Sequence, residues 1–242
     1  MMTNVKPLIK ICGITSLKQA LQIAELNVDA IGVISVNDSP RYIENSIRCS
    51  IFKSLEELYP NIKRVLVVKN LTIDCIKEKL NHNKNFVIQL HGDETPNYCK
   101  ELKKKIPQIE VWKAFRIKNR KDIKGIAEYE NFIDAILLDS WSKDTYGGSG
   151  KKINKENLKN ISFEKPWWLA GGISIDCVNE TLKAVNPYGI DISSGVEIIP
   201  GVKNIEKVRE IVKGCGKEGC RNQRVLRIEA PQNEKKKDSW KL

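Results

Sequence analysis

Short apolar runs alternate along the chain with longer stretches in which apolar residues recur every three or four positions. Eight runs read as strands: Leu8 to Cys12, Ala30 to Ile34, Arg64 to Val68, Phe86 to Leu90, Glu110 to Phe115, Ile133 to Leu138, Trp167 to Ala170 and Ile190 to Ser193. β-Branched and aromatic residues dominate most of them, as buried strands favour. The intervening periodicity predicts helices over Ser16 to Leu26, Ile43 to Tyr59, Thr72 to Leu80, Glu94 to Lys105, Arg120 to Tyr129, Asn154 to Asn160, Ser174 to Val185 and Asn204 to Val212. In the first, Leu17, Ala20, Leu21 and Ala24 share one face and Ser16 suits the N-cap. Pro96 belongs in the first turn of the fourth. Regular strand–helix alternation predicts an α/β fold with a parallel sheet. Eight strands close a (β/α)8 TIM barrel with the helices outside, whereas an open sheet has no need of an eighth.

Strand parity adds a second layer of information. Alternate residues of a barrel strand face the helices and the interior. Ile9 and Ile11 oppose Leu8, Lys10 and Cys12. Ile88 and Leu90 oppose Gln89 and His91, and Ile190 and Ile192 oppose Asp191 and Ser193. The apolar sets belong against the helices. The polar sets then point inward, with Cys12, His91 and Ser193 nearest the C-terminal mouth. Buried polar groups need partners, and several converging at one end mark a site.

The length of 242 residues is near that of one such barrel. With 41% hydrophobic and 29% charged residues the composition is that of an ordinary globular protein. No apolar run approaches the roughly 18 residues of a membrane span, and only Met1 to Pro7 precede the first strand, so neither span nor signal peptide is expected. Seven scattered cysteines and only two histidines argue against a disulfide framework or structural zinc and for a reducing, cytoplasmic setting. The net charge of +11 raises the question of nucleic acid. The lysines are spread among glutamates on polar helix faces and no reading motif appears, so no nucleic-acid partner is expected. Residues 1–213 are assigned to the barrel. Residues 214–242 form a basic tail with one apolar cluster, Val225 to Ile228, expected to be partly disordered or packed outside the barrel.

Four features carry chemistry. Gly171 and Gly172 follow the seventh strand, and Ser193, Ser194 and Gly195 follow the eighth. Two adjacent strand-to-helix turns with unhindered amides make a phosphate cradle, with a short extra helix expected over Val196 to Ile199. Cys12 ends the first strand on its polar face. A free cysteine is most often a small buried hydrophobe. Here Lys10, two residues back on the same face, is a cation able to favour the thiolate. Asp139 ends the sixth strand after four apolar residues. It is either a loop carboxylate bonding nearby amides or, if burial raises it, a proton donor near neutrality. The glycine-rich loop Ser140 to Lys152 beside it is expected to close over a ligand. Arg41, held behind Pro40, is either a surface arginine or a bidentate clamp for a carboxylate.

The segments KICGIT, DSPRYI, IQLHGDE, WKAFRI, AILLDS with GGSGK, WLAGGIS and GIDISSGVEIIPGVK occur in that order. Together they strongly resemble the phosphoribosylanthranilate isomerases of tryptophan biosynthesis, from about Leu8 to Val212. The resemblance implies an aldose–ketose isomerase that carries out an Amadori rearrangement of N-(5-phosphoribosyl)anthranilate without metal or organic cofactor. It implies Cys12 as general base and Asp139 as general acid. It places Arg41 on the anthranilate carboxylate and the turns with Gly172, Ser194 and Gly195 on the phosphate. His91, Asp191, Gly171 and Ser193 complete the expected substrate-binding set. The chain departs from the family pattern at Ser149, where threonine is common, and at Lys151 to Asn154, where an aromatic pair often stands. Val33 replaces an aromatic residue, and the tail has no counterpart. Rival readings are another phosphate-binding barrel enzyme, which would rest on lysine, glutamate or metal-binding histidines, and a non-catalytic anion binder.

Overall fold

The computed structural model describes residues 6–80, 85–140, 155–159 and 161–217. Eight parallel strands close into a barrel in sequence order: β1 (Leu8–Cys12), β2 (Ala30–Ile34), β3 (Lys63–Val68), β4 (Phe86–Leu90), β5 (Glu110–Ile117), β6 (Ala135–Ser140), β7 (Trp167–Leu169) and β8 (Gly189–Ile192). Closure is made by β1, which pairs with β2 through Lys10 and Ala30 and with β8 through Lys10 and Asp191. Outside lie α1 (Leu17–Ala24), α2 (Asn45–Leu58), α3 (Ile73–Lys79), α4 (Pro96–Lys105), α5 (Lys121–Lys124), α6 (Ile175–Ala184) and α7 (Ile205–Gly214). Helix starts follow the capping chemistry. Ser16, Thr72, Thr95 and Asn204 each accept a backbone N–H of the first turn, and Pro96 stands at the start of α4.

The parity reading holds. Ile9, Ile11, Ile88, Leu90, Ile190 and Ile192 belong to the large core between strands and helices, together with Ile23, Phe52, Leu102 and Val208. A second core fills the barrel itself: Ala30, Val65, Val87, Trp112, Ala135, Leu137 and Trp168, with Leu8 against it. Its floor is a tilted Trp112–Trp168 pair with ring centroids 4.6 Å apart. Gly189 on the neighbouring strand makes room for that floor, because a Cβ there would lie 2.5 Å from the Trp168 ring.

Several expected elements change. The helix expected over Arg120 to Tyr129 shrinks to the single turn α5, followed by 3-10 turns over Gly125–Glu128 and Glu130–Phe132. Gly125 interrupts it, and its inward face offers only Ile126 as a fully buried residue. In the segment Asn154 to Asn160 the described residues form a 3-10 turn at Lys155–Leu158. The extra helix expected over Val196 to Ile199 is not formed. A 3-10 turn at Ser194–Val196 leads into a short strand β9 (Glu197–Ile199), which pairs antiparallel with β10 (Val202–Lys203). β-Branched residues at Ile198, Ile199 and Val202 flank a Pro200–Gly201 turn in which Gly201 has φ of +84°, the pattern of a hairpin rather than a helix. Gly214, where the sequence reading starts the tail, is the last residue of α7. Cys215 behind it is buried, and Lys217 pairs with Asp29.

Overpacking the barrel floor tests this arrangement. Gly189→Val is expected to destabilise the protein by about 1–3 kcal/mol through displacement of Trp168. Chemical denaturation should show an earlier midpoint with an unchanged slope. Removal of residues 214–242 is expected to lower the thermal transition by several degrees, on the order of 1–2 kcal/mol, since it takes away Cys215 and the Lys217–Asp29 pair. An unshifted transition would detach those residues from the barrel.

Candidate active site

The C-terminal mouth of the barrel opens into a cavity of about 350 Å³. Its walls take inward-facing residues from β1 (Cys12), β2 (Ile34), β3 (Val67), β4 (Gln89), β6 (Asp139) and β8 (Asp191). His91, Arg41, Gly171, Gly172, Ser193, Ser194 and Gly195 join from the loops. The candidates scattered over the sequence therefore meet in one place.

Behind the lining residues Cys12, Gln89 and Asp191 lies a buried ammonium. Lys10 is fully buried, and its Nζ donates to Asp191 Oδ2 at 2.6 Å and to Gln89 Oε1 at 2.8 Å. Gly32 creates the space for it. A Cβ there would lie 2.8 Å from Cys12 Sγ and 3.0 Å from Lys10 Cε. Burial alone would lower the Lys10 pKa, but the Asp191 and Cys12 charges outweigh burial and hold it above its ordinary value. The Cys12 thiol is pushed up by burial. The Lys10 ammonium opposes that shift, the Asp191 carboxylate adds to it, and Lys203 opposes it. In the resting site Cys12 is thus a thiol beside a permanent cation.

On the opposite wall, Asp139 lies on the strand itself rather than after it. β6 continues to Ser140 because β5 extends to Ile117, so Arg116 pairs with Asp139 and Ile117 with Ser140. The carboxyl is 4% exposed. Its Oδ1 accepts the Ser140 N–H at 2.7 Å, and its Oδ2 lies 3.4 Å from His91 Nε2. His91 Nδ1 in turn lies 3.1 Å from Gln89 Nε2.

Arg41 is buried, not a surface arginine. Its Nε and one terminal nitrogen donate to the two Glu197 oxygens at 2.8 and 2.7 Å. That takes one edge of the guanidinium and leaves the other for a ligand. Gly13, with φ of +76°, lets the Arg41 stem pass, since a Cβ would sit 2.5 Å from Arg41 Cδ. Glu197 also accepts from Lys203 Nζ at 2.6 Å and from the Gly201 N–H at 3.0 Å. Burial would raise this carboxyl, but the Arg41 and Lys203 hydrogen bonds hold it down at about 2. Lys203 Nζ further donates to the Ser193 carbonyl and hydroxyl, each at 3.2 Å.

Between these walls lie the two glycine turns. Gly171 and Gly172 have φ of +87° and +66°. A Cβ on Gly171 would strike Ser140, and one on Gly195 would lie 1.9 Å from the Ile173 carbonyl oxygen. The turns after β7 and β8 are therefore packed against each other, a spacing only glycine permits. Residues 141–154, which include the expected closing loop, Ser149 and Lys151 to Asn154, lie outside the described residues. Among the described residues no cluster of three histidine, cysteine or acidic side chains could hold a metal ion, and no helix is long and apolar enough to cross a membrane.

Glu197 and Lys203 escape sequence reading because their roles depend on the hairpin. Gly32 escapes because a glycine in a strand carries no polar signal. Lys10 and Gln89 show themselves only through parity.

A closed eight-stranded parallel barrel with helices outside and a cavity at its C-terminal mouth defines a TIM-barrel protein of the kind that carries its site on the strand ends. Comparisons narrow the class. The family model for N-(5'-phosphoribosyl)anthranilate (PRA) isomerase matches residues 9–214. The N-(5'-phosphoribosyl)anthranilate isomerase of Crocosphaera subtropica is 40% identical over 209 residues, 86% of this chain and 98% of its own. That of Nostoc punctiforme is 37% identical over 208 residues, again 86% and 98%. The solved phosphoribosyl anthranilate isomerase of Thermotoga maritima superposes with a TM-score of 0.75 at 30% identity, over 87% of this chain and 98% of its own. A further solved isomerase, in complex with reduced 1-(o-carboxyphenylamino)-1-deoxyribulose 5-phosphate, superposes with a TM-score of 0.69 at 29% identity, over 87% and 98%. This chain belongs to the phosphoribosylanthranilate isomerase family and is an isomerase.

The Glu197 ion triad has an acid signature. The unfolded chain protonates Glu197 near its ordinary 4.5, whereas the folded protein keeps it ionised down to about 2. Its stabilisation is complete above about pH 4.5 and is lost as pH falls toward about 2. Glu197→Gln is expected to flatten the dependence of the thermal transition on pH within that window. A slope equal to wild type would take the triad out of the acid response.

Proposed function

We propose that this enzyme converts N-(5-phosphoribosyl)anthranilate to 1-(2-carboxyphenylamino)-1-deoxyribulose 5-phosphate, with Asp139 as general acid and Cys12 as general base. One observation carries the assignment of roles: Cys12 and Asp139, 127 positions apart in the chain, line one cavity from two strands that do not neighbour each other, β1 and β6.

The chemistry follows from the residue types. Asp139 gives its proton to the ring oxygen, the C1–O bond breaks, and the anilino nitrogen lone pair forms the Schiff base. Cys12, as thiolate, removes the C2 proton, and that electron pair neutralises the iminium to give the enolamine. Return of a proton to C1 and loss of the enol O–H proton give the ketone. Asp139, left as carboxylate by the first step, is placed to take back a proton. Each positioned proton transfer contributes about 10²–10⁴-fold.

Binding groups set the substrate across these two residues. The turns with Gly171, Gly172, Ser193, Ser194 and Gly195 suit the phosphate. The open edge of Arg41, held by Glu197, suits the anthranilate carboxylate. Asp191 Oδ1 is a buried acceptor without a hydrogen bond and suits a ribose hydroxyl. Anchoring both anionic ends fixes the sugar carbons between thiol and carboxyl, which is where orientation lowers the barrier.

Two measurements test the reading. Turnover of phosphoribosylanthranilate, followed by loss of its fluorescence, is expected for wild type and reduced at least ~10²-fold in kcat by Cys12→Ala and by Asp139→Asn. Wild-type turnover in either variant refutes that residue's role. The base must lose a proton that burial retains, so kcat/KM is expected to rise with pH on an alkaline limb. Lys10→Met is expected to move that limb to higher pH, because the cation opposing the burial shift is gone. An unmoved limb would separate Lys10 from the base.

A further inference from the structure

The hydrogen bonds from Lys10 through Gln89 to His91 form one chain that ends 3.4 Å short of Asp139, and its direction is fixed from one end. Lys10 Nζ is an ammonium and can only donate. The Gln89 amide must therefore turn its oxygen toward Lys10, at 2.8 Å, and its NH2 toward His91 Nδ1, at 3.1 Å. An amide NH2 can only donate, so Nδ1 must accept. The single imidazole proton is then on Nε2, which is buried, has no hydrogen-bond partner, and faces Asp139 Oδ2 at 3.4 Å. Reversing any link would set N–H against N–H. Asp191 secures the starting point by keeping Lys10 charged, at 2.6 Å from its Nζ.

We propose that Gln89 locks His91 in its neutral Nε2–H tautomer, making His91 a positioning residue that holds the Asp139 carboxylate as the acid gives up its proton. The second half rests on the Asp139 assignment above. His91 is then a donor in the site and not a proton acceptor in the reaction. The separation of 3.4 Å is longer than a formed N–H···O bond. It shortens when the carboxyl becomes an anion, so the interaction strengthens with the charge that develops during ring opening. The charged groups around the ring are Asp139 from β6, Lys10 from β1 and Asp191 from β8. Lys69, Arg41 and Asp38 border the same cavity. Asp93 on the adjoining loop is held by Arg116 at 3.0 Å. None of them supplies the Nδ1 side with an acceptor in place of the amide.

The chain contains two histidines, His82 and His91, so His82→Asn leaves a single imidazole for 15N-histidine NMR. In that background the spectrum of the neutral ring is expected to show a protonated Nε2 and a bare Nδ1. Adding Gln89→Glu puts an acceptor beside Nδ1. The neutral ring is then expected to carry its proton on Nδ1. A neutral wild-type ring that carries its proton on Nδ1 overturns the lock. Kinetics test the second half. His91→Gln keeps an N–H donor and is expected to stay within about tenfold of wild-type kcat. His91→Leu is expected to lose on the order of 10²-fold with KM little changed. Equal activity in the two variants overturns the positioning role. The NMR readout needs no turnover, so a failed lock is distinguishable from a failed Asp139 assignment, which Asp139→Asn reports by itself.

Discussion

A single buried cation organises this site. Lys10 sits in a barrel interior that is otherwise filled by alanine, valine, leucine and tryptophan. An isolated ammonium there would carry a desolvation penalty of several kcal/mol. Asp191 and Gln89 compensate it, and each does so from a different strand. The pair thereby fixes the relation of β1 to β4 and β8 at the height where chemistry would occur. The same charge reaches Cys12 directly and Asp139 through Gln89 and His91. A thiol on β1 and a carboxyl on β6 are thereby tied to one buried cation. Gly32 is part of the same arrangement, since any side chain on that neighbouring strand would strike both Cys12 and Lys10.

A second ion cluster stands at the rim, built differently. Arg41 comes from the loop after β2, while Glu197 and Lys203 come from the β9–β10 hairpin after β8. The hairpin folds a chain segment back over the mouth, and the Glu197 fork holds Arg41 to one orientation. A guanidinium secured along one edge loses little further entropy when a ligand takes the other. Rigid anchoring at both ends of the cavity suits a reaction in which the acid must meet a ring oxygen and the base a neighbouring carbon. The Trp112–Trp168 floor closes the barrel below, so the polar layer opens in one direction only.

Sequence reading reached the barrel because its signals are local and repeated. Each strand is an apolar run of ordinary length, and Ser16, Thr72, Thr95 and Asn204 announce their helices through capping chemistry. It also reached Cys12, Asp139 and the glycine turns, because barrels place function at strand ends. The failures share a cause. Arg120 to Tyr129 carries enough helix-forming residues to read as one helix, yet Gly125 and a thin apolar face leave only one α-turn. Val196 to Ile199 reads as a helix only while its partner Val202–Lys203 is unknown. Pairing is a non-local fact, and with it go Glu197 and the orientation of Arg41. Asp139 reads from the sequence as the point where the sixth strand gives way to a loop, and its pairing with Arg116 keeps it within the strand. Register with a neighbour, not local pattern, made it a strand residue.

The choice of a thiol at position 12 follows from the same charge layout. Asp191 already neutralises Lys10 at 2.6 Å. A carboxylate in place of Cys12 would stand as a second permanent anion beside Asp191 in a low-dielectric interior, where like charges force one group to stay protonated. Burial holds the Cys12 thiol neutral at rest, so the resting site carries no such conflict. A thiolate forms only when that proton is lost to solvent, and the Lys10 ammonium is then in place to stabilise the negative charge. A thiol that is neutral at rest fits an interior in which Lys10 and Asp191 already neutralise each other. It also explains why Lys10 shares the strand and the face of Cys12. Two residues of separation on a strand keep both side chains pointing inward, and no other spacing within β1 brings the charge that close to the sulfur while leaving the sulfur at the mouth.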